Sequence, residues 1–231
     1  MPIKRCRVRE NPCNDHLANP VLLYINDVVP HEDTDIIHSS RVLDSIGIDG
    51  ALRKPIIVEK NRLIVIDGHH RLNALKSLGV KVVPAYIADY GLDVDDVGGW
   101  MYIGSSRLID HRSVVKAVEE LESMAKRGSD EMKVKVGGTV VVLNIDRIDV
   151  YLAFKELGSP NALLDMAKVP IDIDRCSSSD ICVLMPKLEP KDIYRIATRG
   201  ETLPPRTTYH KTYLKNLYVT YPLKLLQKLG V

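Results

Sequence analysis

The sequence has few aromatic residues and no long apolar run. Only 5% of its 231 residues are aromatic, and ten tyrosines account for most of them beside Trp100 and Phe154. Aliphatic side chains must therefore supply most of the core. No apolar run approaches the roughly 18–20 residues that a membrane-spanning helix needs, and the first 19 residues lack the apolar centre of a signal peptide. We expect a cytoplasmic protein that does not associate with membranes.

The sequence also lacks a strongly basic stretch. Its formal net charge is +2, and its lysines and arginines are scattered along the chain. Dedicated nucleic-acid binders usually carry a denser basic stripe on one face. We therefore expect no nucleic-acid partner, whereas a small anion such as a nucleotide is compatible with this charge.

The four cysteines form no C-x-x-C pair. They are Cys6, Cys13, Cys176 and Cys182. We interpret them as free buried thiols of a reducing compartment. Two alternatives stay open. Cys6 and Cys13 could bind zinc together with His16, and Cys176 and Cys182 could form a disulfide if the source is a hyperthermophile.

The first 90 residues predict a compact unit of the order strand, strand, turn, strand, helix, strand. Aliphatic runs bounded by polar residues predict the strands, over 21–25, 55–59, 63–66 and 81–87. Apolar residues at helical spacing predict a helix that follows Gly68 and ends at Gly79. We place a first domain at residues 1–90, with a soft boundary.

The rest of the chain predicts a second, larger α/β lobe at 91–231, so that the fold class is α+β. We interpret 89–110 as an irregular loop around Trp100 and expect Ser113 to cap a helix. A β-hairpin is expected around Gly137 and Gly138. Further elements are expected in the order helix, helix, strand, helix, at 148–157, 160–167 (with Ser159 as its cap), 181–185 and 191–198.

The most informative motif lies where the strand ending at Ile66 gives way to a helix. It consists of five consecutive residues, Asp67, Gly68, His69, His70 and Arg71. Glycine lets the backbone turn sharply and approach a ligand, and the N-terminus of the following helix favours phosphate. An arginine can bind phosphate oxygens through two N–H groups, and Asp67 could hold Mg²⁺ against them. The plainer interpretation is a strand-to-helix turn with Asp67 as helix cap.

Three further places carry candidate functional residues. Glu32 follows the first strand and could abstract a proton from a hydroxyl group, although a solvated acidic loop explains it equally well. Trp100 could close over a ligand, but a lone tryptophan is more often packed.

Near the end of the chain, side chains that could bind a carboxylate or phosphate occur together, at Arg206, Thr207, Thr208 and His210. By itself, that segment is more often a polar loop. We interpret His38 and His111 as structural or surface residues.

The run from Val65 to Arg71 resembles the signature of the ParB/sulfiredoxin-like domains, and it is most similar to that of the free serine kinases of archaea. Other short elements occur in the order typical of that family, namely Pro30-His31-Glu32, Lys54-Pro55, Trp100, Gly200-Glu201, Thr207-Thr208 and His210. The likeness extends roughly from Val21 to Tyr213, and residues before Asn19 have no counterpart in it.

The resemblance implies a kinase that converts free L-serine to O-phospho-L-serine, feeding serine and cysteine metabolism, with Mg²⁺ and either ATP or ADP. It implies that Glu32 is the catalytic glutamate and that Asp67 and the four residues after it form the nucleotide-phosphate and Mg²⁺ site. It further implies a serine pocket with Trp100, Thr208 and His210. Pro204-Pro205-Arg206 and Tyr209 depart from the family's usual pattern, which affects the choice of nucleotide and acceptor more than the chemistry.

Three other classes compete with the kinase interpretation. A ParB-type CTP switch would use the same fold, but no helix-turn-helix pattern follows the domain. Sulfiredoxin chemistry needs a cysteine where His69 and His70 stand. A catalytically inactive nucleotide-binding regulator would keep the phosphate turn without needing Glu32. The sequence does not distinguish ATP from ADP as donor, and it does not reveal the oligomeric state.

Overall fold

The computed structural model describes residues 19–158 and 160–229. The described chain divides into two compact units. The first contains residues 19–96, 194–205 and 210–229, and the second contains 97–158, 160–193 and 206–209. Both units combine helices with sheet, which confirms the predicted α+β class. No helix among the described residues is long and apolar enough to cross a membrane.

The first unit is built on a four-stranded mixed sheet. Its elements in chain order are β1 (Val21–Tyr24), α1 (Ile36–Asp49), β2 (Ala51–Leu52), β3 (Ile56–Glu59), β4 (Val65–Asp67), α2 (His69–Ser77) and β5 (Val82–Ala88). The sheet order is β1-β5-β3-β4, with β3 parallel to β5 and the other two pairs antiparallel. Every residue of β3 is buried, as expected for an inner strand. The four predicted strands and the predicted helix after Gly68 are confirmed as β1, β3, β4, β5 and α2, whereas α1 and β2 were not predicted.

Helix α1 was not predicted from the sequence. Asp35 caps it by accepting a hydrogen bond from the His38 backbone N–H at 2.7 Å, and Gly50 ends it with φ of +61°. The helix packs against α2. Its apolar residues do not form a simple buried stripe, because Ile36 and Ile48 are exposed while Ile46 is buried. That mixed pattern hides the helical period on which sequence-based prediction depends.

The second unit contains a five-stranded antiparallel sheet. From residue 96 the elements are β6 (Asp96–Gly98), β7 (Trp100–Gly104), α3 (His111–Met124), β8 (Arg127–Val136), β9 (Thr139–Ile145), α4 (Arg147–Glu156), α5 (Asn161–Leu164), β10 (Ala167–Pro170), α6 (Ile173–Ser178), β11 (Ile181–Leu184) and α7 (Pro190–Thr198), whose last turns belong to the first unit. The sheet order is β10-β7-β11-β8-β9. The predicted hairpin is confirmed as β8 and β9.

The prediction of an irregular loop over 89–110 is wrong. Trp100 begins β7, which pairs with β10 on one side and β11 on the other. Met101 and Tyr102 in this strand are buried. The aromatic and aliphatic run after Gly99 favours a central strand. Gly98 and Gly99 therefore precede the start of this strand and do not form the centre of a loop.

Two smaller predictions in this unit also need correction. Asp110, not Ser113, caps α3, and its carboxylate accepts from the Ser113 N–H at 3.0 Å. The helix expected over 160–167 is limited to Asn161–Leu164, because Ala167 already begins β10. The expected cap Ser159 lies outside the described residues.

Cys176 and Cys182 form a disulfide that joins α6 to β11. The interpretation of these two residues as free thiols is therefore wrong, and the alternative of a bond between them is confirmed. Spacing alone did not decide between the two. The zinc alternative with Cys6, Cys13 and His16 lies outside the described residues.

The C-terminal segment returns to the first unit after residue 209. It contains β12 (Tyr209–Lys211), β13 (Tyr221–Pro222) and α8 (Leu223–Lys228). Strand β13 pairs antiparallel with β2, and Leu226 is fully buried in the core of the first unit. The predicted boundary at residue 90 places this segment in the second lobe instead. No local pattern indicates its contact with β2, because the two strands lie about 170 residues apart in the sequence.

Candidate active site

The turn from β4 to α2 combines a glycine requirement with a helix N-terminus. Gly68 has φ of +106°, and a Cβ at this position would lie 2.7 Å from Cγ2 of Ile56. Both the backbone conformation and the available space therefore exclude a larger residue. The first N–H groups of an α-helix have no acceptor within the helix. The N-terminus of α2 can thus offer donors to an anion.

Arg71 joins this turn to the start of β3. Its Nη1 donates to the carbonyl oxygens of Lys54 at 3.1 Å and Pro55 at 2.7 Å. Its Nη2 forms an ion pair with Asp67. The plainer interpretation made Asp67 the helix cap, but Gly68 holds that position, and the Asp67 carboxylate bonds Arg71 instead.

Two lysines add positive charge next to Asp67. Lys215 places Nζ 3.7 Å from Oδ1 of Asp67, and Lys54 lies over the ring of Tyr218. The pKa of Lys54 is lowered, first by partial burial and then by the charge of Arg71, with a further lowering contribution from Lys215. Three cationic side chains, those of Lys54, Arg71 and Lys215, therefore lie near the single carboxylate of Asp67. The excess of positive charge suits an anionic ligand.

A cavity of about 500 Å³ opens beside the turn. Its lining comes from α1, from β2 and from the two segments joined by Arg71. The lining residues are His38, Arg41, Val42, Ser45, Ile46, Asp49, Ala51, Leu52, Arg53, Lys54, Asp67, Gly68, His70 and Arg71. The volume lies within the usual range for small-molecule and cofactor sites. The helix that sequence analysis missed thus forms one wall of the cavity.

His70 and His38 connect the two helices at this cavity. Nε2 of His70 accepts from the Asp35 backbone N–H at 3.2 Å, and the two imidazole rings meet edge to face with centroids 4.5 Å apart. His38 was interpreted as a structural or surface residue. It is exposed, but it lines the cavity, so that interpretation missed its position in the candidate site.

Three buried histidines cluster in the first unit. The ring of His31 lies 4.8 Å from that of His69 and 6.0 Å from that of His210. Nε2 of His69 accepts from the backbone N–H of His31 at 3.4 Å. Burial lowers the pKa of His31 to about 4 and lowers the pKa of the other two well below the usual value. All three imidazoles are therefore neutral at pH 7.

Glu32 lies on a short stretch that pairs with Leu203. Leu203 N–H donates to the carbonyl of His31 at 2.9 Å, and the N–H of Asp33 donates to Leu203 O at 2.8 Å. The side chain is 7% exposed, with Oε1 3.6 Å from Nε2 of His31. Because His31 is neutral at pH 7, this contact supplies no counter-charge to the carboxylate.

The second unit brings together Trp100 and the segment from Arg206 to Tyr209. The guanidinium of Arg206 lies 4.9 Å from the centre of the Trp100 ring. Trp100 Nε1 donates to the carbonyl of Thr208 at 3.4 Å. Thr207 is buried, and Arg206 has φ of +57°, a conformation uncommon outside glycine.

The predicted residues therefore fall into two groups. The first unit contains Glu32, His210 and the turn from Asp67 to Arg71. Trp100 and the segment 206–208 belong to the second. Two residues with contacts here were not predicted: Lys215, which lies near Asp67, and Tyr90, whose phenol oxygen lies 2.9 Å from Nε2 of His210. In both pairs the partners lie more than 100 residues apart in the sequence. Within residues 19–158 and 160–229, no group of three or more His, Cys, Asp or Glu side chains is arranged to hold a metal ion.

No protein-family model matches this chain. It is similar to the ATP-dependent L-serine kinase of Staphylothermus marinus, with 39% identity over 77 residues. The match covers 32% of this chain and 31% of that kinase, so it spans less than a third of the relative's length.

Two other relatives match over most of their length. The ADP-dependent L-serine kinase of Thermococcus kodakarensis is 26% identical over 221 residues, covering 82% of this chain and 86% of the kinase. The ParB-like protein of Sulfolobus acidocaldarius is 25% identical over 181 residues, covering 78% of this chain and 84% of the relative. The resemblance to serine kinases that the motifs predicted is confirmed by the two kinases, and a ParB-like protein is matched as well.

A solved structure, a free serine kinase in complex with AMP, superposes with a TM-score of 0.72 at 21% identity. The superposition covers 90% of this chain and 94% of that kinase. At 21% identity, the superposition shows a similarity of fold alone. The fold of this chain is that of the free serine kinases.

Proposed function

We propose that this chain transfers the terminal phosphoryl group of ATP or ADP to the hydroxyl group of free L-serine. The observation that carries the proposal is the turn from Asp67 to Arg71 at the N-terminus of α2, beside which a cavity of about 500 Å³ opens. Relatives named as ATP-dependent and ADP-dependent L-serine kinases support the same reaction. The reaction product would be O-phospho-L-serine.

The phosphate groups of the nucleotide are proposed to bind at the N-terminus of α2. Gly68 allows close approach of the backbone, and the N–H groups of His69 and His70 can donate to phosphate oxygens. Lys54 and Lys215 offset the negative charge that the nucleotide brings. Arg71 holds the turn to the start of β3 and adds its own charge to the site.

Asp67 is the residue that would hold Mg²⁺. Mg²⁺ usually takes one or two carboxylates and completes its shell with water and substrate phosphates. A single carboxylate beside the phosphate turn fits that pattern, and the distance of 3.7 Å from Oδ1 to Lys215 is longer than a hydrogen bond. A bound Mg²⁺ would neutralise charge on the phosphate oxygens.

Glu32 is proposed to accept the proton of the serine hydroxyl. The hydroxyl oxygen then forms a bond to the terminal phosphorus of the nucleotide as the bond from that phosphorus to the bridging oxygen breaks. The leaving group is ADP if the donor is ATP, and AMP if the donor is ADP. The serine molecule is proposed to bind to Trp100, Arg206, Thr207, Thr208 and His210.

The direct test is to incubate the protein with L-serine, Mg²⁺ and either ATP or ADP. Phosphorus NMR would detect phosphoserine, and chromatography of the nucleotides would identify ADP or AMP as the second product. We expect stoichiometric formation of phosphoserine and one of the two nucleotide products. Absence of phosphoserine with every common nucleoside di- and triphosphate would contradict the proposal.

A second candidate is a nucleotide-binding switch that associates with DNA. The match to a ParB-like protein over most of the chain favours it. Such a protein would bind CTP or ATP at the same turn, but it would not need Glu32. Nucleotide-dependent DNA binding without serine phosphorylation would support this candidate over the kinase.

A further inference from the structure

We propose that Tyr90 is a positioning residue for the acceptor site, because its phenol donates a hydrogen bond to Nε2 of His210 and so fixes that imidazole as the tautomer protonated on Nδ1. The inference rests on the proposed function in one respect, namely the placement of His210 in the serine pocket. It adds a residue and a protonation state that the proposed mechanism does not contain.

The contact is well defined within the first unit. The phenol oxygen of Tyr90 lies 2.9 Å from Nε2 of His210, and the two rings are 5.7 Å apart. Tyr90 lies two residues after the end of β5, while His210 lies in the returning strand β12. The ring of Tyr194 lies edge to face with that of Tyr90, at 5.9 Å. Tyr90 is therefore held between a second tyrosine and the buried histidine.

Both partners of this hydrogen bond are neutral at pH 7. Burial raises the pKa of Tyr90, and the neighbouring Tyr194, Glu59 and Glu32 raise it further. Burial lowers the pKa of His210 well below its usual value, and the nearby His31 and Lys215 lower it further. The phenol keeps its proton, and the imidazole carries a single one.

The direction of the hydrogen bond follows from the chemistry of the two groups. A phenol is a stronger acid than a neutral imidazole N–H, and the bare imidazole nitrogen is a stronger base than a phenol oxygen. The O–H group therefore donates and Nε2 accepts. Since a neutral imidazole has one proton, that proton is on Nδ1.

This arrangement limits what His210 can recognise. Its Nε2 lone pair is engaged by Tyr90, so the imidazole can act towards a ligand only as a donor from Nδ1. A donor suits the carboxylate of an amino acid, whereas an ammonium group needs an acceptor. We therefore expect the acceptor to carry a carboxylate, which distinguishes L-serine from an amino alcohol such as 2-aminoethanol.

The first experiment measures the tautomer without reference to activity. Two-dimensional ¹H–¹⁵N spectra of the parent labelled at histidine distinguish a protonated from a bare ring nitrogen. A His210→Gln variant identifies the His210 signals. We expect a protonated Nδ1 and a bare Nε2, and a protonated Nε2 in the parent would overturn the proposal.

The second experiment compares Tyr90→Phe with Tyr194→Phe as matched control. Both changes remove one hydroxyl from a tyrosine in the same ring pair. We expect Tyr90→Phe to raise KM for L-serine roughly three- to tenfold, as for the loss of one hydrogen bond. We expect little change in kcat or in the nucleotide Kd, and the control should leave KM unchanged.

An unchanged KM in Tyr90→Phe, or an equal rise in the control, would contradict the positioning role. If Tyr90→Phe does not fold, the spectra of the parent still decide the tautomer. If the parent forms no phosphoserine but shows the expected tautomer, the proposed function fails and the tautomer assignment stands. If an active parent shows protonated Nε2, this inference fails and the proposed function stands.

Discussion

The carboxylate of Asp67 lies among cationic side chains, and its role depends on which contacts it keeps when a nucleotide binds. In the structure it pairs with Arg71 and lies near Lys215. Mg²⁺ would compete with these cations for the same oxygens. The residue can therefore hold the metal, organise the cations, or do both.

The change Asp67→Asn tests the metal-binding role. An amide keeps the shape but loses the charge, so we expect the Mg²⁺ concentration needed for half-maximal phosphoserine formation to rise sharply, or turnover to be lost. Activity measured across a Mg²⁺ titration checks this. Full activity of the parent in excess EDTA would contradict a metal requirement altogether.

Arg71→Lys tests the planar fork of the guanidinium. A lysine keeps the charge, but a single nitrogen replaces the two guanidinium nitrogens, of which one bonds the carbonyl oxygens of residues 54 and 55 and the other bonds Asp67. We expect weaker nucleotide binding by calorimetry. The matched control is Arg62→Lys, whose guanidinium bonds Thr198 outside the cavity. An unchanged nucleotide Kd would remove Arg71 from the binding site.

The consecutive residues of the candidate site could be predicted from the sequence, whereas residues distant from them in the chain could not. The turn at Asp67 to Arg71 is visible because its functional residues are adjacent. Lys215 and Tyr90 carry no such local signal, and their roles depend on contacts across more than 100 residues. His38 was missed for a related reason, since its helix was not predicted.

At the scale of elements, the buried histidines link the stretch before α1 to α2 and β12. The pKa of His31 is lowered from 6.5 to about 4 by burial. Between these values the unfolded chain binds a proton that the folded chain does not. The free energy of unfolding must therefore fall as the pH drops from about 6.5 to about 4.

The expected size of this effect is about 3 kcal/mol for His31 alone, since each pKa unit corresponds to about 1.4 kcal/mol. The lowered pKa values of His69 and His210 act in the same direction. Urea unfolding between pH 7.5 and pH 4 would measure it in the parent and in His31→Asn. The parent should lose more stability than the variant over this range, and equal losses would contradict the buried neutral imidazole.

The disulfide between Cys176 and Cys182 ties α6 to β11 across a short loop. Chain-entropy arguments predict a stabilisation of about 2 kcal/mol for a loop of this length. We expect Cys176→Ser to lower the free energy of unfolding by about that amount. A reducing agent should lower the parent to the same level and leave the variant unchanged. A parent that is indifferent to reduction would contradict a stabilising bond.

The success of element prediction depended on how regular the local pattern was. Strand β3 begins with three consecutive aliphatic residues and β5 is a continuous apolar run, and both were predicted. Helix α1 exposes several isoleucines, so its period was hidden. Strand β7 follows two glycines, which suggested a loop. In both failures the tertiary partners decided the structure, and those partners are distant in sequence.

At the scale of the whole molecule, the chain forms two units with a C-terminal segment that returns to the first. That segment supplies Lys215 and His210 to the first unit. The α+β class and the likeness to the serine kinases could be predicted from the sequence. The return of the segment could not, because a pairing such as β13 with β2 depends on the folded chain as a whole.

We propose that this chain is an enzyme that uses Glu32 as a base. The most direct test is the rate of serine phosphorylation by Glu32→Gln, with Asp33→Asn as matched control and the nucleotide Kd measured for both. We expect Glu32→Gln to lower the rate by a factor on the order of 10²–10⁴, with folding and nucleotide affinity nearly unchanged. Phosphoserine formation by Glu32→Gln at the parent rate would contradict this mechanism, and a parallel loss of nucleotide binding would assign Glu32 to metal or phosphate placement instead.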